Sequence, residues 1–490
     1  MFSRSQINLP PQEPGYPLLG NVGFKPEIPV ILNLWQKHGD LFTLNMFGQT
    51  IIVVCGHQTL DEILVKSGKH SSEHPVVYGY TENFESSGIL GAYGQVWCIQ
   101  RKFVQDTLQH IDSGNSDLES RAAIEVLDFI KNAENVGGQP FNIDELIKTS
   151  HYNIVSSLIF GKRFEAGDAT LKRLVELVYE ATLNVPDQGL LSFFEWMKYL
   201  PGDWFKVRRQ RYLINEILKI LQKMVDEHKK IPEKPNSTDF IYSFFKEQER
   251  RKKDNEDLAG FKDRDLLLMG YGFLFGGIGV IQALQWSALY LMHYPEVVSR
   301  MQKEIEKNVG NNRSPTMADK QRLPFCQAVM YEVLRTASVI CVTPAHVLTS
   351  DLLINGYNLQ KDSWILPALC TVNMDSSIFK EPETFNPDRF IKEDGQVFGF
   401  EKVNTSFSMG PRNCLGQRLA EIEMFLLITA LVQNFDIENE ADTPLPSLEG
   451  TYKGAHITTP YKVCLKKRVQ YSSRMSARLR IHQRFPNTRI

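Results

Sequence analysis

Apolar and polar positions follow two different periods along this chain. Leu41-Phe42-Thr43-Leu44-Asn45-Met46-Phe47 and Ile51 to Cys55 alternate or run apolar on either side of Gly48, which predicts two short strands. Residues 118–165 carry a helical pattern, and Gln417 to Phe435 sets Leu419, Ile422, Phe425, Leu426 and Thr429 at helical spacing. The longest apolar helical stretch is Leu266 to Met292, with Gln282 and Gln285 as its strongly polar side chains. Its length would allow a membrane span, but glycines at 270, 272, 276, 277 and 279 and its place in mid-chain favour a core helix. Leu190 to Leu200 is a dense apolar and aromatic patch ahead of Pro201-Gly202. It reads either as buried core or as a surface that dips into a bilayer. Pro10 to Gly15 and Pro17 to Asn21 make a stiff, turn-rich lead-in, and Ile231 to Asp263 is a charged, proline-containing connection and helix.

Composition narrows the class. The chain has 490 residues, 42% of them apolar, and a net charge of −2, which suits a large globular core and argues against nucleic acid as a partner. Length alone would suggest about three domains. Seven cysteines at 55, 98, 326, 341, 370, 414 and 464 show no paired spacing, so a reducing compartment is expected. The tail 469–490 carries Arg474, Arg478, Arg480, Arg484 and Arg489 and no acid. It reads as disordered surplus, with contact to anionic lipid as the functional alternative.

The chemistry concentrates in Phe407-Ser408-Met409-Gly410-Pro411-Arg412-Asn413-Cys414-Leu415-Gly416. Cys414 lies between two glycines and just ahead of a predicted helix N-terminus, where unpaired N–H groups and the helix dipole favour a thiolate; Arg412 favours the same charge. Upstream, Trp97 and Arg101 stand four apart on one helix face; both side chains are donors only, which suits a carboxylate acceptor. Glu332 and Arg335 share another helix face at i,i+3, a spacing that by itself gives a surface ion pair of small value.

The pattern F-x-x-G-x-R-x-C-x-G resembles the haem-binding loop of the cytochrome P450 family at every fixed position, and the resemblance runs from about Pro10 to Arg468. It implies a mainly α fold with a minor β region: a proline-rich segment 1–22, a single P450 domain over 23–468, and the tail 469–490. It implies haem b (iron protoporphyrin IX) with Cys414 as iron ligand, Phe407 near its sulfur, Gly416 among the cofactor-binding residues, and Trp97, Arg101, His346 and Arg412 at the haem propionates. Phe385-Asn386-Pro387-Asp388-Arg389-Phe390 resembles the segment whose arginine joins Glu332 and Arg335, so Arg389 is expected to complete a buried structural triad. Val342 and Thr343 match a strand bordering the substrate cavity, and Gly450 to Cys464 a closing hairpin. The implied activity is monooxygenation: one atom of dioxygen enters a small lipophilic substrate, with electrons from NADPH-cytochrome P450 reductase. The implied place is the cytosolic face of the endoplasmic reticulum membrane, with 190–200 as a peripheral contact, if an N-terminal anchor precedes the sequence read here; otherwise the cytoplasm. Met1 to Pro14 is short and polar, and the proline-rich lead-in resembles the hinge that follows such an anchor.

One signature departs from the family. The long helix usually carries an acid and an alcohol that relay protons, but those positions hold Ile278, Gly279 and Val280. No carboxylate lies between Leu266 and Gln285, and Tyr271 is the one hydroxyl. General-acid work needs a group within hydrogen-bond reach, so no catalytic residue is assigned there. Water or bare glycine backbone could carry protons instead. The alternatives are a reductase-independent isomerase or dehydratase acting on hydroperoxides or endoperoxides, and a non-catalytic haem-binding protein.

Overall fold

The computed structural model describes residues 8–78, 84–113, 117–165, 167–230, 239–398, 403 and 405–468. The tail 469–490, residues 1–7 and part of the charged connection, 231–238, lie outside them. Helix takes up 54% of the structure and strand 11%, which makes the fold mainly α with a minor β region.

The strands flanking Gly48 are Leu41–Met46 and Gln49–Val54, antiparallel with Leu41 opposite Val54. Gln49–Val54 also pairs in parallel with Trp364–Pro367, and His346–Val347 completes the four-stranded sheet. The run Ile51 to Val54 is apolar throughout because both sheet faces are covered: Ile52 and Val54 join Leu60 and Ile365 in one core cluster, Ile51 and Val53 join Ile31 and Phe42 in another. The proline-rich lead-in packs along the outer edge of this hairpin. Thr43 N–H reaches Pro11 O at 2.8 Å, and Glu13 N–H reaches Thr43 O at 2.9 Å. Prolines offer no N–H of their own, so they cover an edge without inviting a further strand.

The 266–292 stretch forms helices Asp263–Phe275 and Ile278–His293, joined through Gly276 and Gly277. Gly277 N–H bonds Leu274 O at 3.2 Å, three residues back where an α-helix reaches four, so the helix tightens at this point. Beyond it Val280 to Met292 is buried without interruption, packed against helices Asp144–Phe160, Pro324–Ala337 and Gln417–Asn434. A helix apolar all round belongs either in a membrane or in a core. This one is 72% buried inside the protein over its most apolar window and is the core helix.

Glu332 and Arg335 on Pro324–Ala337 are both fully buried. Arg335 meets Glu332 twice at 2.8 Å, and Arg389 Nε meets Glu332 Oε1 at 3.0 Å. Arg335 Nη1 also donates to Asn373 O and Pro382 O, each at 2.7 Å. Val342 and Thr343 make only an isolated bridge, Val342 to Ala368, in place of the expected strand. In the closing segment Thr451–Tyr452 pairs with His456–Ile457, while Cys464–Lys467 pairs with Phe435–Glu438 in a separate sheet.

Candidate active site

Cys414 lies in the loop that leads into helix Gln417–Asn434. Cys414 N–H bonds Phe407 O at 2.9 Å and folds the loop back on itself. Gly410 sits at φ 75° with its backbone against the Glu62–Lys66 turn, where an added Cβ would come 2.0 Å from Leu64 O; a side chain is excluded both by φ and by space. The sulfur receives the backbone N–H groups of Gly416 and Gln417. Cys414 is exposed to solvent, although enough protein surrounds its thiol to desolvate it.

Burial pushes the Cys414 thiol above its usual pKa; the Gly416 N–H, the Arg101 charge and the Gln417 N–H pull it down and do not win. The expectation that the loop alone favours a thiolate is thus corrected: the helix N-terminus has the right sign, but desolvation is the larger effect. The cation felt at the sulfur is Arg101 and not Arg412. A metal changes that balance, because a coordinating thiol is deprotonated outright.

Arg101, on helix Gly94–Ser113, donates Nη2 to Asn413 O at 2.8 Å and Asn413 Oδ1 at 2.5 Å, tying that helix to the cysteine loop. Arg412 lies 3.8 Å from the centroid of the Trp97 ring and donates to Ser72 O at 2.8 Å and Ala92 O at 3.1 Å. Trp97 is buried, and its Nε1–H has no hydrogen-bond partner. An unmet buried donor costs about 1–3 kcal/mol, so an acceptor belongs there. An accessible sulfur at a helix head, a glycine-lined loop and a waiting indole N–H fit a flat, iron-bearing dicarboxylate such as haem b.

His346, expected at a propionate, stands beside His74 and Arg412. Its Nδ1 donates to Ser71 O at 2.6 Å, and its ring stands edge-on to His74 at 5.0 Å. Burial, partly opposed by the Ser71 carbonyl and aided by Arg412, pushes its pKa down to about 4. Nδ1 is taken by Ser71 O, which leaves Nε2 as the nitrogen open to a further partner. Asn413 and His74 were missed in the sequence: Asn413 carries a signal only once Arg101 is known to reach the loop, and His74 carries none.

Trp97→Phe keeps a ring beneath Arg412 and removes only the N–H. Haem affinity is expected to fall about 10- to 100-fold, the worth of a hydrogen bond to a charged group, while the haem-free protein melts no lower than the parent because an unmet buried donor is gone. Haem transfer to apomyoglobin measures this, and an unaltered transfer rate would refute the role.

A family model described as Cytochrome P450 matches residues 10–465. The chain belongs to the cytochrome P450 family. Among similar proteins, Cytochrome P450 2J1 of Oryctolagus cuniculus is 30% identical over 90% of this chain and 88% of its own length. Cytochrome P450 2D28 of Mesocricetus auratus is 30% identical over 93% and 92%, and Cytochrome P450 2U1 of Homo sapiens 29% identical over 90% and 81%. This P450 is accordingly a haem b oxidoreductase of the microsomal kind. It inserts oxygen into a lipophilic substrate with electrons from NADPH-cytochrome P450 reductase, and it is membrane-associated.

Proposed function

We propose that Cys414 supplies the thiolate of this monooxygenase, with Phe407 and Gly416 bounding the sulfur and Trp97, Arg101 and Arg412 forming the propionate side. The observation that carries this is the solvent-accessible Cys414 at a helix head, its sulfur faced by the N–H groups of Gly416 and Gln417 and by Arg101. Haem b, when bound, supplies the activation of dioxygen and its transfer to substrate. The protein's part is to hold that group and to manage protons. Trp97 Nε1–H offers a charge-assisted hydrogen bond to a propionate. Arg101 and Arg412 place positive charge beside it while binding the backbone at Asn413 and Ser72. Glu332, Arg335 and Arg389 position the loop indirectly. Arg335 holds Asn373 O, Asn373 Oδ1 receives Thr405 Oγ1 at 3.5 Å, and Thr405 O takes Ser408 N–H at 2.8 Å inside the cysteine loop.

The missing acid and alcohol at 278–280 keep a second reading in view, a rearrangement that needs no reductase. Both readings are tested by product formation under labelled dioxygen, with reductase and NADPH supplied or withheld, across lipophilic compounds and a lipid hydroperoxide. Label is expected in product only when NADPH and reductase are present. Conversion of the hydroperoxide without NADPH and without label would overturn monooxygenation in favour of the rearrangement.

The 190–200 patch divides into two faces. Leu191 is buried, and Phe193 and Phe194 pack on Phe47, with Phe193 also against Trp364. Trp196 and Tyr199 are exposed at 62% and 78%, and Trp204, just beyond the patch, at 80%. Outward aromatic side chains on a segment anchored from behind suit the interface of a bilayer. Trp196→Ala with Trp204→Ala is expected to weaken flotation with phosphatidylcholine vesicles about tenfold or more while leaving haem content intact. Equal flotation of variant and parent would place the membrane contact elsewhere.

A further inference from the structure

One polar group in the core is used by nothing described so far. His151, on helix Asp144–Phe160, is 4% exposed. Its Nδ1 lies 3.0 and 3.2 Å from the two carboxylate oxygens of Glu423, which is fully buried on helix Gln417–Asn434. Its other nitrogen, Nε2, has no hydrogen-bond partner. That nitrogen is aimed at the tightened turn of the long helix: a Cβ on Gly277 would lie 2.2 Å from it. The imidazole occupies the space that a side chain at 277 would need. Beside it Gly276 is exposed, and a Cβ on Gly279 would meet nothing within 4 Å. Bare backbone is all that the helix sets against the imidazole here.

The chemistry of this arrangement is specific. A carboxylate only accepts, so Nδ1 donates to Glu423 and Nε2 is the nitrogen left to hand on a proton. Glu423 also acts on Glu125, which Arg163 pairs and Asn153 Nδ2 reaches at 3.1 Å; Tyr152 stands edge-on to the imidazole at 5.4 Å. A buried donor–acceptor with one free nitrogen beside a glycine turn has no structural need of that nitrogen, because the Glu423 contact alone would clamp the helices.

We propose that His151, held by Glu423, is the proton-holding residue of this P450, passing protons at the Gly276–Gly277 turn where positions 278–280 supply none. The Nε2–H bond breaks, the proton passes to water at the turn, and Nε2 regains a proton from solvent water; no electrons move. His151 acts through that water and is a positioning residue. The inference rests on the monooxygenase reading for its purpose and on the Nε2–Gly277 juxtaposition for its geometry.

The first test uses unsubstituted holoenzyme and no turnover. Exchange of histidine Cε1–H for deuterium is followed by mass spectrometry across a pH series, in the peptide containing His151. His151 is expected to exchange despite its burial, at a rate that changes in Glu423→Gln. Absence of exchange at His151 while surface histidines exchange would overturn the proposal, because a sealed pair cannot pass protons. In the second test His151→Gln retains haem and its reduced carbon monoxide spectrum, and product formed per NADPH consumed falls at least about tenfold, within what general acid groups contribute. A parent-like ratio in His151→Gln would overturn the proposal and leave monooxygenation standing. Failure of the parent to incorporate labelled dioxygen would overturn the monooxygenase reading, while the exchange result would still stand or fall on its own.

Discussion

Replacing Cys414 with alanine is expected to abolish the thiolate-type spectrum of the reduced, carbon monoxide-treated protein and to stop turnover. The loss should exceed the roughly 10- to 100-fold that removal of an outer-shell partner costs a metal site, because a ligand itself is gone. The loop should survive the change. Its fold-back runs through Cys414 N–H and Phe407 O, its seat through Gly410 and Leu64, and neither uses the sulfur. A cooperative melting transition of the haem-free variant is therefore the control, lowered only by the Gly416 and Gln417 N–H groups that lose the sulfur. A Cys414→Ala protein that kept the thiolate-type spectrum would remove Cys414 from the site.

The second large effect is on stability. Glu332→Gln leaves the fully buried Arg335 and the largely buried Arg389 facing each other without their shared carboxylate. Breaking a buried pair from one side costs about 3–5 kcal/mol, far above the about 0–1 kcal/mol of an exposed ion pair. Arg335→Lys is expected to fare little better, since one ammonium cannot meet Glu332, Asn373 O and Pro382 O together. Removing Arg300, whose pair with Asp388 is half exposed, should be nearly silent. Thermal unfolding of the three variants checks the ranking, and a Glu332→Gln melting curve superimposed on the parent would contradict it.

What could be read from the sequence was what sits close along the chain. The hairpin around Gly48 and the helix after Cys414 follow from periods of two and 3.6 residues. Only the charges at the sulfur were legible and not the net direction of its pKa, since desolvation depends on everything packed around a loop and outweighs the charges a motif displays. The 266–292 helix read as continuous: Gly276 and Gly277 permit a tightened turn, but nothing near them shows that His151, over a hundred residues earlier, fills the space at Gly277. His346 shows the same limit. Its contact with Ser71 O, 275 residues away, fixes which nitrogen faces that carbonyl and which is left for another partner.

The parallel pairing of Gln49–Val54 with Trp364–Pro367 imposes an order on synthesis. Ile51 lies opposite Trp364, so one edge of the N-terminal hairpin has no partner until the chain has grown by roughly another three hundred residues. At about 5–20 residues per second that wait lasts on the order of 15 to 60 s. Throughout it, an apolar strand with unsatisfied N–H and C=O groups is open to any other nascent or misfolded chain. The sheet is thus a small part of the finished protein and a long exposure in its making.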